Sequence, residues 1–115
     1  MTLTEFMGRV NGDYDGLLER VMDDTDLAVM ILKKFEKDSN YVRLSDTLDA
    51  GDVEGAFKAA HTLKGTAANL GLKDLYEASS ACCEALRSGD LEGGRKIFSA
   101  VGPAYEEVIS GLSEL

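Results

Sequence analysis

The chain has 115 residues, 44% of them hydrophobic and only one of them proline, which is the size and composition of a single domain able to bury its own core. Its 21 acidic residues against 12 basic ones give a formal net charge of -9, which repels nucleic acid and anionic membrane surfaces. No apolar run reaches the roughly 18 to 20 residues needed to span a bilayer, and the first residues, M-T-L-T-E-F-M-G-R-V, lack a charged-then-apolar signal pattern, so a cytoplasmic protein with no membrane or nucleic-acid partner is expected.

Apolar residues recur at three-and-four spacing and β-branched runs are few, so the chain reads as all-α. Thr2 followed by Glu5 forms a capping box for a first short helix, and Asp13 opens a second that carries Leu17, Leu18 and Val21, the two lying within residues about 3–22. From Thr25, the residues Leu27, Met30, Ile31, Phe35, Tyr41, Val42, Leu44 and Leu48 recur at helical spacing and predict one long helix over about 25–49, which Asp38, Ser39 and Asn40 are placed to bend. It ends before Gly51. The pair Gly51-Asp52 supplies a left-handed stop followed at once by an N-cap, and Gly89-Asp90 repeats the device, with G-D-L-E echoing G-D-V-E. The echo is shared turn chemistry and not a repeat array. Between these joints lie helices over about 53–70 and 73–88, parted by Gly71, and the last runs over about 91–113, where Pro103 removes a backbone donor and is expected to kink it. Four long helices with short loops predict an antiparallel up-down four-helix bundle with one or two short N-terminal helices, all in one domain over residues 1–115.

Cys82 and Cys83 are adjacent, a poor geometry for a structural disulfide, and read as packing residues of a reduced protein. With the single histidine they also lack the paired spacing of a zinc site, so no metal and no cofactor is expected in this chain.

The single histidine, His61, opens the run H-T-L-K-G-T-A-A-N-L-G. With His61 set at zero on a helix of about 3.6 residues per turn, Leu70 falls at about 180°, Leu63 at about 200°, Ala56 at about 220° and Ala67 at about 240°, with Ala59 and Ala60 on the flanks. That stripe is the core face, so His61 points to solvent. Its neighbours on the exposed stripe are Lys64, Gly65, Phe57, Lys58 and Ala68. Each has an ordinary explanation alone: most surface lysines are simply solvated, the glycine can serve helix packing, and the phenylalanine can fold over a helix edge. Together they describe a docking face. A mid-helix glycine costs about 0.5 to 1 kcal/mol relative to alanine, and an exposed phenylalanine gains little unless something covers it.

The pattern H-x-x-K-G-[ST]-A-x-x-x-G, read by His61, Lys64, Gly65, Thr66, Ala67 and Gly71, resembles the signature of histidine-containing phosphotransfer (HPt) domains of two-component phosphorelays. The A-G-D-V-E joint before it and the L-K-D-L-Y-E segment after it resemble the family's flanks, and the likeness runs from about Leu17 to the C-terminus. The resemblance implies that His61 is the phosphoacceptor through Nε2, taking a phosphoryl group from the aspartyl phosphate of one receiver domain and passing it to the aspartate of another. It implies that Lys64 stabilises the phosphoryl group and Gly65 gives the receiver room, with Phe57, Lys58 and Ala68 contacting the partner. An ordinary imidazole is largely neutral and nucleophilic near neutral pH, so transfer needs mainly positioning and charge neutralisation. The partners implied are response-regulator receiver domains and a hybrid or other sensor histidine kinase, Mg²⁺ would come with the receiver, and the chain would act as a monomeric relay intermediate without kinase activity of its own. Two other functions fit the residues less fully: the histidine-bearing substrate domain of a chemotaxis-type kinase, and a helical adaptor that carries no phosphate. One position departs from the family. Where relatives often carry Gln or Glu, 22 residues after the histidine, this chain has Cys83, a weak hydrogen-bonding partner. Ser79 or Ser80 substituting for it, Glu84 swinging in, and a less firmly oriented ring are all open alternatives.

Overall fold

In the computed structural model, which describes Met1–Leu115, seven α-helices occupy Leu3–Arg9 (α1), Tyr14–Arg20 (α2), Thr25–Lys34 (α3), Asn40–Ala50 (α4), Val53–Asn69 (α5), Lys73–Arg87 (α6) and Leu91–Leu112 (α7). Helices α4 to α7 form an antiparallel, up-down bundle in which α5 packs between α4 and α6, and α7 closes against α6 and α4. No helix is long and apolar enough to cross a membrane.

Three joints set the bundle, and all three use the same chemistry. At the end of α4, Asp52 N–H donates to Thr47 C=O and Gly51 N–H to Leu48 C=O, with Gly51 at φ 71°. At the end of α5, Leu72 donates to Ala67 and Gly71 to Ala68, with Gly71 at φ 70°; at the end of α6, Asp90 donates to Ala85 and Gly89 to Leu86, with Gly89 at φ 82°. A left-handed glycine thus satisfies the last carbonyls of each helix and reverses the chain. Asp52 and Asp90 then cap the next helices by accepting from Gly55 and Gly93 N–H. Leu72 has no such side chain. That joint is held from outside, by Asp13 N–H donating to Gly71 C=O at 2.8 Å.

The expected single helix over 25–49 is broken. After α3 the chain tightens into a 3₁₀ turn at Phe35–Lys37, and Asp38 turns extended at ψ 130°. Its carboxylate accepts from the backbone and side-chain nitrogens of Asn40, so a local side-chain bond outcompetes the helical ladder at this point. Pro103, by contrast, lies within an unbroken α7, exposed on its surface. The N-terminal helices seal one end of the bundle: Phe6 and Met7 are fully buried, and Arg9 reaches α7 to bond Glu107, Glu114 and Ser110. At the other end, Arg95 of α7 donates twice to Leu48 C=O, tying α7 to the last turn of α4.

The core is continuous and mainly aliphatic. On α5 its members are Ala56, Ala59, Ala60, Leu63 and Ala67, with Leu70 just past its end, and burial of a leucine such as Leu63 stabilises by about 1.5 to 3 kcal/mol. A side chain at Gly71 would strain the backbone and also place its Cβ 2.8 Å from Asp13 C=O, whereas at Gly89 it would meet nothing. Gly89→Ala should therefore cost only the left-handed penalty of about 1 to 2 kcal/mol, and Gly71→Ala distinctly more. Urea denaturation of the two variants checks this; equal losses would contradict the close approach of Asp13.

Candidate functional site

The aspartate cap at residue 52 and the left-handed stop at Gly71 fix where α5 begins and ends, and the buried alanine stripe fixes its rotation. His61 is consequently exposed near the middle of the helix. Gly65, one turn on, is exposed too, and a Cβ built there would have no atom within 4 Å. No helix packs closely at Gly65, so its missing side chain serves nothing inside the protein.

Lys64 is half-buried and has no carboxylate partner. The two other cations of this face are occupied: Lys58 pairs with Glu54 at 3.3 Å along α5, and Arg87 with Glu84 at 3.3 Å along α6. Such exposed pairs contribute little to stability, but they leave Lys64 as the cation free to meet an incoming anion. Ala68 is half-buried and borders a shallow groove with Gly71, Lys73 and Tyr76, two turns from His61.

Phe57 differs from the sequence expectation of a bare aromatic. It is half-buried against the core, its ring lies parallel to the imidazole of His61 with centroids 5.9 Å apart and planes 23° apart, and the Arg87 guanidinium sits 5.1 Å from its centroid. Arg87 is the residue the sequence reading missed. It lies one turn beyond Cys83 on α6, and a wheel of α6 alone marks it only as one of several exposed charges.

The alternatives for orienting the imidazole through α6 resolve negatively. Cys83 is fully buried, Ser79 is fully buried with its hydroxyl unpartnered, Ser80 is half-buried and makes no bond to the imidazole, and Glu84 is turned to Arg87, so none of them hydrogen-bonds His61. Burial pushes the Cys83 thiol pKa up, while nearby Lys64 and Arg87 oppose the shift. No three His, Cys, Asp or Glu side chains converge as a metal-binding group would.

An exposed histidine, an unpaired lysine one turn away and a glycine with open space beside it thus stand together on one helix of the bundle. The family model for the Hpt domain matches residues 30–114. The chain belongs to the Hpt domain family. This Hpt domain therefore works in phosphotransfer of two-component signalling, where Hpt domains interact with receiver domains and histidine kinases. The match starts at Met30 and not near Leu17, so α1, α2 and the first part of α3 lie outside it. No curated protein and no solved structure gives a match.

Cys82, whose thiol donates to Gly94 C=O at 3.5 Å, is buried and its pKa is pushed up to about 11, first by burial and then by Cys83. The folded Hpt domain holds this proton more tightly than the unfolded chain, where a thiol titrates near about 8.5. The stabilising contribution is complete below that value and is lost as pH rises toward 11. Both cysteines should resist a thiol reagent at neutral pH in the native protein and react fully in urea, and the melting temperature should fall between about pH 9 and 11. Rapid native labelling would contradict this burial.

Proposed function

We propose that this Hpt domain relays a phosphoryl group between aspartates of receiver domains, with His61 as the phosphoacceptor. Nε2 attacks the phosphorus of a receiver's aspartyl phosphate; an N–P bond forms, the acyl P–O bond breaks, and the aspartate leaves as carboxylate. In the second half the N–P bond breaks as the carboxylate of another receiver attacks, and the imidazole is restored. Lys64 neutralises phosphoryl charge in both halves. Phe57, Lys58 and Ala68 meet the receiver around the histidine, and Mg²⁺ comes with the receiver and not with this chain. The domain acts as a monomeric intermediate with no kinase activity of its own.

Gly65 carries this reading. It is exposed in the interior of a 17-residue helix, where alanine would be more stable, and nothing in the fold needs the space. A destabilising residue without an internal purpose is explained by an approaching partner. A receiver that must bring its aspartate to His61 needs that space at the next turn.

Incubation with a phosphorylated receiver should give label that is lost in acid, survives base and is absent from His61→Gln. Lys64→Ala should slow transfer by about tenfold or more through lost charge neutralisation. Gly65→Gln should separate folding from docking: the helix gains about 0.5 kcal/mol or somewhat more while transfer slows by at least about tenfold. Label remaining on His61→Gln, or normal transfer by Gly65→Gln, contradicts the assignment.

A further inference from the structure

We infer that Phe57 is the positioning residue for the His61 imidazole in this chain, holding the ring by stacking where the adjacent helix offers no hydrogen bond. The inference rests on His61 being the phosphoacceptor. An exposed imidazole on a helix has two open χ1 wells and a roughly two-fold χ2, so a ring without a partner divides its time among about four orientations. Only some of these aim Nε2 outward. The side chains of α6 do not select among them by hydrogen bonding: Cys83 and Ser79 are buried, half-buried Ser80 makes no bond to His61, and Glu84 is drawn to Arg87.

Phe57 can do so for three reasons. Helical side chains lean toward the helix N-terminus, so His61 is inclined over the residue four positions earlier, which is Phe57. The two rings lie at 23° with centroids 5.9 Å apart, within the offset-stacked range of about 4.5 to 7 Å. Phe57 is itself fixed, packed on the core beneath and within 5.1 Å of the Arg87 guanidinium, which in turn is tied to Glu84. A platform packed on the core can order a ring that makes no hydrogen bond of its own.

His61 is the only histidine of the chain, so its ring protons give single NMR signals in which the ring current of Phe57 can be read directly. Phe57→Leu keeps apolar bulk but removes the π face, and Phe57→Tyr keeps both. With the melting temperature checked for each, Phe57→Leu should move the ring signals toward random-coil positions and slow transfer from a phosphorylated receiver by about fourfold, the number of orientations released. Phe57→Tyr should keep the shifted signals and transfer distinctly faster than Phe57→Leu. Ring signals that do not move in Phe57→Leu, or that move with no change in transfer rate, would overturn the inference. Label found on His61→Gln would instead remove His61 as phosphoacceptor, and the NMR comparison, made on unphosphorylated protein, tells the two failures apart.

Discussion

Burial of the alanine-rich face of α5 is the constraint from which the rest of this molecule follows. Ala56, Ala59, Ala60 and Ala67 leave little room between α5 and its neighbours, so α4 and α6 close on it from two sides, and Leu63 and Leu70 fill what remains. A helix gripped in this way has one rotation open to it. The face opposite the alanines is therefore held at the surface, and His61, Lys64 and Gly65 stand on it because the core is where it is. These three residues contribute little to the core, and the packing of α5 sets the direction in which they leave the helix.

The ends of α5 matter as much as its rotation. Each bundle helix from α4 to α6 stops on a left-handed glycine, but the joint after α5 differs from the other two in lacking an aspartate cap and in being locked to the N-terminal segment through Asp13 and Gly71. Helices α1 and α2, outside the matched family region, thereby support the end of the helix that carries the histidine. Arg9 adds a second attachment by reaching Glu107 and Ser110 on α7 and Glu114 just past its end. The N-terminal helices thus seal the hydrophobic end of the bundle and brace α5.

Charge at the histidine face runs against the charge of the whole. The chain carries a net -9, yet Lys58 and Lys64 stand one turn either side of His61 on α5, and Arg87 lies over the Phe57 ring that stacks on it. Two of these cations are neutralised along their own helices and the third is free. Screening over about 8 to 10 Å at physiological salt makes this local arrangement, more than the net charge, decide what an approaching anion meets.

Much of this was legible in the sequence. The capping box at Thr2, the glycine stops, the aspartate caps and the outward rotation of His61 all follow from short-range rules, because turn geometry and helical periodicity depend on residues a few positions apart. The break at Asp38 was visible only as a bend, since apolar periodicity does not show whether an aspartate side chain, here bonded to the backbone and side-chain nitrogens of Asn40, outcompetes the helical ladder. The sequence left open what holds the imidazole, and the arrangement of Phe57 between His61 and Arg87 could not be read from it, because it joins residues of two helices whose relative rotation is set by the core. By itself, then, the sequence determined the helices, their ends and which face carries the chemistry. Tertiary structure alone decided what lies across that face, since contacts between helices depend on how close the alanine stripe lets them come.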